Sequence, residues 1–419
     1  MTEAGREGVL PGLPAEVMCM TEVHTGPSQC SRKVSYLMNR STIKRRSSSG
    51  RLAIALGTAL GLLLTACGAG GPSTETVSTG RLQTVDISQP AHGPNGEPPT
   101  PAGEVTLSNA DVAKLKQGDY TAALLWAGSG DWYNAVSDGA LARFKQLGID
   151  VVAKSSADFD PARQANDVES AMAEKPDIIF TLPVDPVSAA RAFKPAVEAG
   201  TVLVFADNGI DGYKAGKEYE SIVTSSHYEM GEAAAKLMSQ AMGGEGEIGI
   251  IYHDADFYVT NQRDDAFYTA IKRNYPDVDV AAANGFVEEG GTGDIASTML
   301  TQNPDLDGIY VAWDVAAEPV IDALRSAGNE DTKVVTYDLG ATNDVDMAQG
   351  GNMYGTVVDL PFDIGFTMAT IAGRALLGKK SPPYITVGLM KITQDNLVEG
   401  WQKSLHREPP AEVKEALGQ

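Results

Sequence analysis

Three carboxylates close apolar runs in this chain. Asp207 follows TVLVFA, Asp338 follows KVVTY, and Asp314 comes one residue after DGIYVA and Trp313. A carboxylate at the end of a buried strand is costly unless hydrogen-bonded, so each needs a partner. That partner is either the first turn of the next helix or a donor on a bound molecule. Arg263, in NQRDDAF, can pair with Asp264 or Asp265 or fork onto two neighbouring oxygens. In residues 120–140, YTAALLWAGSGDWYNAVSDGA, a short apolar run predicts a strand, AGSG a turn, Asp131 a helix N-cap, and the helix runs to about Leu147. Trp132 and Tyr133 then sit at a strand-to-helix lip, where open α/β sheets bind ligands, unless they only fill the surface there.

These groups suit binding better than turnover. The five histidines are scattered without an i,i+4 pair, and HExxH, GxSxG and P-loop patterns are missing from the sequence. Cysteines occur only at Cys19, Cys30 and Cys67, so the body beyond has no disulfide framework, thiolate nucleophile or thiolate metal site. Gly244, Gly246 and Gly249 fit a dinucleotide pattern but precede their strand, and Gly291, Gly293 and Ala296 do not follow one directly; both read as loops. No enzyme, cofactor or metal is expected. The 419 residues allow two or three domains. Residues 1–67 hold 8 Lys and Arg against 4 Asp and Glu, leaving 25 basic and 51 acidic side chains, a net charge of about −26, beyond them. That balance disfavours nucleic acid and anionic lipid as partners.

Ahead of the body, Arg40, Lys44, Arg45, Arg46 and Arg51 precede an apolar run over 52–66, too short to span a bilayer stably. It ends Leu64, Thr65, Ala66, Cys67, then GAGG, which resembles the lipobox of bacterial lipoproteins. That resemblance implies cleavage before Cys67 and its lipidation. Residues 1–37 read as a mis-called upstream extension and 38–66 as the signal peptide. Residues 67–118 read as lipidated cysteine plus flexible tether, Gly, Pro, Ser and Thr dominating 68–104. Within it, Ser108 and Asp111 predict a capping box before a short helix over 110–117.

From Tyr120 onward, β-branched runs at 120–126, 149–154, 177–182, 201–206, 246–252, 278–282, 307–312 and 333–337 alternate with amphipathic helices. This βαβ repetition predicts parallel sheets wrapped by helices, in two sheets. Over about 119–394 the chain resembles type I periplasmic binding proteins, in the ribose-binding-like branch that serves sugar ABC transporters. The landmarks are Trp132 and Tyr133 before Ser137 to Ala140, FADN at 205–208, NQRDDAF at 261–267, NPD at 303–305, Trp313 with Asp314, VTYD at 335–338 and DLP at 359–361. The resemblance implies an α/β fold of two Rossmann-like lobes joined by a three-segment hinge. One lobe would be 119–225 plus 360–388, the other 226–359 plus 389–405, with 406–419 a tail.

It further implies Trp132, Tyr133, Asp207 and Asn208 on the first lobe's lip, Arg263, Trp313, Asp314 and Asp338 on the second, and Asp359 at the hinge. Carboxylates, Asn and Arg bind vicinal hydroxyls, while flat rings cover the C–H faces of a sugar. Departures from the ribose-type pattern are Trp126 for a small polar residue, Asp131 for proline, Asn208 for arginine, Trp313 for asparagine and Asp359 for glutamine. Val287 stands where an aromatic is expected. Two added tryptophans should shrink the cleft. The expectation is a monomeric, extracytoplasmic lipoprotein, held to the membrane by its lipid alone. It would pass a small neutral sugar or polyol, of four or five carbons, to an ABC permease. The alternatives are a sugar-sensing receptor subunit, a repressor on the same core (which needs a helix-turn-helix where the lipobox stands) and an enzyme on a flavodoxin-like fold.

Overall fold

The computed structural model describes residues 79–419. The leader, Cys67 and the start of the expected tether lie outside the described residues.

Two sheets organise the chain. The first contains β1 (Thr100–Pro101), β2 (Thr121–Trp126), β3 (Asp150–Ser156), β4 (Ile178–Thr181), β5 (Val202–Ala206) and β6 (Ile222–Ser225). The second contains β7 (Gly246–His253), β8 (Val278–Phe286), β9 (Gly308–Val311), β10 (Lys333–Tyr337) and β11 (Met353–Asp359). The chain then returns to the first sheet as β12 (Tyr384–Val387) and re-enters the second as β13 (Leu389–Thr393). The orders are β1-β12-β6-β5-β4-β2-β3 and β13-β11-β10-β9-β7-β8. Every pairing is parallel except that of β13 with β11. The chain therefore passes between the sheets three times, after β6, after β11 and between β12 and β13. This is the type I periplasmic binding protein architecture.

Helices cover both faces of each sheet, as near-continuous apolar strands require. In the first lobe these are α1 (Asn109–Leu115), α2 (Asp131–Leu147), α3 (Pro161–Ala173), α4 (Pro186–Ala192) and α5 (Lys194–Ala199). The expected single helix over 186–199 is two, parted at Phe193, where Pro195 removes a backbone donor. The second lobe carries α6 (His227–Ala241), α7 (Tyr258–Asn274), α8 (Thr292–Gln302), α9 (Asp314–Ala327) and α10 (Ala341–Ala348). After β11, α11 (Pro361–Leu376) rejoins the first. The pleat of β2 shows the two-sided burial directly. Ala122, Leu124 and Trp126 enter the core under α2 and α11, and Ala123 and Leu125 the core under α3 to α5.

One close approach fixes the site-bearing helix. A Cβ on Gly139 of α2 would lie 1.9 Å from the Phe362 carbonyl oxygen of α11, and one on Gly365 would lie 1.8 Å from that of Val136. Only glycine at both positions lets these helices meet backbone to backbone, which sets where Trp132 and Tyr133 emerge.

Residues 79–118 correct the expected tether. Leu82, Ile87, Ala91, Val105 and Leu115 are buried, and β1 adds an edge to the first sheet. The composition cannot build a core of its own, yet a few apolar side chains suffice to dock on one already built. The capping box of Ser108 and Asp111 is present before α1. The expected tail also docks: α13 (Ala411–Ala416), which follows α12 (Leu397–Gly400), packs on α10.

Candidate ligand-binding site

A cavity of about 80 Å³ opens between the lobes, at the carboxyl ends of both sets of parallel strands. The first lobe lines it with Asp131, Trp132, Tyr133, Phe159 and Asp207, the second with His253, Arg263, Glu289, Trp313, Asp314 and Asp338. Asp207 and Asp338 each stand one residue past the strand, β5 and β10, in the left-handed backbone region at φ 55° and 66°. Such φ values are uncommon for non-glycine residues and cluster at functional sites.

The second lobe's polar centre is Arg263. Its guanidinium lies 4.4 Å over the Tyr337 ring and 3.9 Å from Asp338 Oδ2. Arg263 Nε and Asp338 Oδ1 are buried with no partner among the described residues. Asp264 and Asp265 are not its partners; both turn away toward Arg81. Opposite, Asp207 Oδ1 accepts from Thr224 Oγ1 at 2.6 Å, and Thr224 is 3.1 Å from His227 Nε2. Burial pushes the Asp207 carboxyl up to about 6, against the pull of Thr224 and Arg263. Burial, and then the charge of Asp338, hold Asp314 and Asp359 well above the usual carboxylate range. With one guanidinium against this many carboxyls, the cleft disfavours anions and favours molecules that donate hydrogen bonds.

Flat rings make the walls. Trp132 and Tyr133 meet edge to face at 5.0 Å, and Trp313 lies 4.9 Å from His253 and 4.8 Å from Phe286. Its indole N–H donates to Glu289 at 2.7 Å. Phe159, at φ 57° in the loop after β3, reaches from the first lobe to Phe257 and Trp313 at 6.1 and 6.4 Å.

Several expectations need correction. Trp126 does not narrow the cleft: it is buried in the first lobe, its N–H donating to Ser137 Oγ at 2.9 Å. Asn208 bridges the lobes instead of lining the cavity. Its Nδ2 donates to the Pro183 carbonyl, and its Oδ1 accepts from the Val259 N–H, both at 3.2 Å. Asp359 sits behind Trp132, whose indole N–H it accepts at 3.1 Å. Asp131 is the first residue of α2, not its cap, because Gly130 at φ 130° takes that place; its carboxylate lies 3.5 Å from Arg407. Val287 is 63% exposed. Sequence reasoning missed Phe159, His253 and Glu289. His253 ends β7, the strand-end position that singled out Asp207, and was overlooked as a lone histidine. Glu289 and Phe159 lie in loops with no pattern to mark them.

A family model, the periplasmic binding protein domain, matches residues 122–380. The chain belongs to that family. Among curated relatives of this binding protein, the D-allose-binding periplasmic protein of Escherichia coli (strain K12) is 27% identical over 299 residues, covering 69% of this chain and 90% of that one. The xylitol-binding protein of Mycolicibacterium smegmatis is 23% identical over 266 residues, covering 60% and 73%. A solute-binding protein of an ABC transporter from Agrobacterium vitis, solved with α-D-tagatopyranose, superposes with a TM-score of 0.62 at 23% identity, covering 67% and 97%. These relatives are binding proteins and not enzymes, and membership of the family places the folded body outside the cytoplasm.

Proposed function

We propose that this chain is the solute-binding lipoprotein of an ABC importer, taking a small neutral sugar or polyol of four or five carbons. The observation that carries the reading is the opposed pair Asp207 and Asp338 with Arg263 between aromatic walls, its Nε and the Asp338 Oδ1 left without partners among the described residues. Carboxylates accept from hydroxyls, and a guanidinium fork donates to two adjacent oxygens. The rings, led by Trp313, cover the C–H faces, each ~100 Å² of apolar area adding about 2.5 kcal/mol. The small cavity and the filling indole of Trp313 favour a compact ligand, and relatives named for allose and xylitol support the chemical class. The lipobox at Cys67 supports the anchor, and the permease follows from the role of the family.

Titration calorimetry against tetritols, pentitols, pentoses and hexoses tests it. The expected result is a tetritol, pentitol or pentose bound at least ~10-fold more tightly than any hexose, about 1.4 kcal/mol. A hexose or disaccharide that binds more tightly than all of them refutes the size assignment.

A further inference from the structure

The segment that precedes β1 grips both lobes in succession. On the second lobe, Arg81 Nε donates to the His253 carbonyl at 2.7 Å, and its guanidinium pairs with Asp264 and Asp265. The Gln83 N–H donates to Asp265 at 3.1 Å, and the Val85 N–H to Thr269 Oγ1 at 3.0 Å. Leu82 and Ile87 are buried against α6 and α7. The last grip there is the Tyr258 hydroxyl, which donates to the His92 carbonyl.

The first lobe takes over at once. A Cβ on Gly93 would lie 3.0 Å from Tyr384 of β12, and one on Gly209 would lie 2.9 Å from the Pro94 ring. Thr100 and Pro101 then pair with Ile385 and Thr386, just before β12 leads into a lobe crossing. Residues held by opposite lobes are therefore nearly adjacent. From His92 to Pro94 a fully extended chain spans at most about 7 Å, so lobe opening has little slack to draw on.

We propose that residues 79–101 form a fourth tie between the lobes that limits how far the cleft opens, with Arg81 as its anchor on the second lobe. Arg81 is a positioning residue as well. It holds the His253 carbonyl directly, and Asp264, which it pairs with, accepts from the His253 N–H at 3.2 Å and the Tyr310 hydroxyl at 2.7 Å. The tie thus reaches the aromatic wall of the cavity.

The test needs no ligand, so its outcome is independent of what the cleft binds. In the full chain carrying Tyr258→Phe, a protease site replaces the exposed Ser88, Gln89 and Pro90, and the same sample is measured by X-ray scattering before and after cutting. A body of this size has a radius of gyration of about 20 Å; cutting should raise it by on the order of 1 Å as the hinge gains range. Amide exchange gives the second readout. In Arg81→Ala, the Gln83 and Val85 amides should exchange at least ten-fold faster, with Arg81→Lys intermediate. An unchanged radius after complete cutting overturns the proposal, as does an unchanged radius in the double variant Arg81→Ala, Tyr258→Phe with those amides freed.

Discussion

Asp207 and Asp338 hold equivalent places in the two lobes, each just past a central parallel strand with left-handed φ. This geometry turns a side chain out of the sheet and into the cleft, and burial then raises its affinity for protons. For Asp207 the sign is definite. The folded state binds its proton up to about 6, the unfolded chain only up to 3.8. Over that window the folded state holds more protons, so stability falls as pH rises and is highest at the acid end. Ligand-free melting should therefore show the native chain losing up to about 3 kcal/mol relative to Asp207→Asn between pH 4 and 7. His227 and His253, which burial lowers to about 3 and 4, titrate in both proteins and cancel in the difference. A flat difference would place the Asp207 carboxyl elsewhere in its titration. At Trp313 the relevant quantity is volume. Trp313→Asn removes an indole packed on His253 and Phe286 and unpairs Glu289. Calorimetry should show the preference for five-carbon over six-carbon ligands dropping below ~10-fold, with weaker binding of the smaller one.

At the scale of elements, the closed cleft is held by contacts that a single lobe cannot make. The first turn of α7 has no side-chain cap of its own, and Asn208 from the other lobe accepts the Val259 N–H in its place. On the opposite flank, Arg407 of the second lobe's last segment reaches Asp138 on α2 at 2.5 Å. An N-cap substitution typically costs ~1 kcal/mol, about a factor of five in an equilibrium constant. Asn208→Ala should thus weaken binding of the preferred ligand about five-fold, chiefly through faster dissociation, with secondary structure unchanged by circular dichroism. Slower association with unchanged dissociation would show that Asn208 acts before closure.

For the whole molecule, both lobes line one cavity, and the proposed function uses them as an open–closed device whose ligand contacts are complete only when the lobes meet. Such a device serves an importer if it stays near the membrane. Among the described residues no helix is long and apolar enough to cross one; the proposed attachment is at Cys67, for its resemblance to a lipobox cysteine. The expected result is that Cys67→Ala moves the processed protein into the soluble fraction. Continued sedimentation with membranes after leader cleavage would refute that assignment.

The sequence by itself determined the alternation of strand and helix, the two-sheet body and the strand-end carboxylates, because local periodicity and short apolar runs encode them. Asp207, Asp314 and Asp338, read from their places after apolar runs, and Arg263 and Trp313, which the family resemblance implied, all line the cavity. Tertiary structure alone decided which way a residue at such an end points. Trp126 turns inward to Ser137, Asn208 spans the lobes and Asp359 backs Trp132, since each is satisfied by a partner far along the chain or in the other lobe. Phe159 and Glu289 enter the site through loop conformations that no periodicity records. The docked segment ahead of β1 was hidden for the same reason. Its order rests on Asp264, Asp265 and Tyr258, more than 160 positions away, and composition carries no trace of a distant partner.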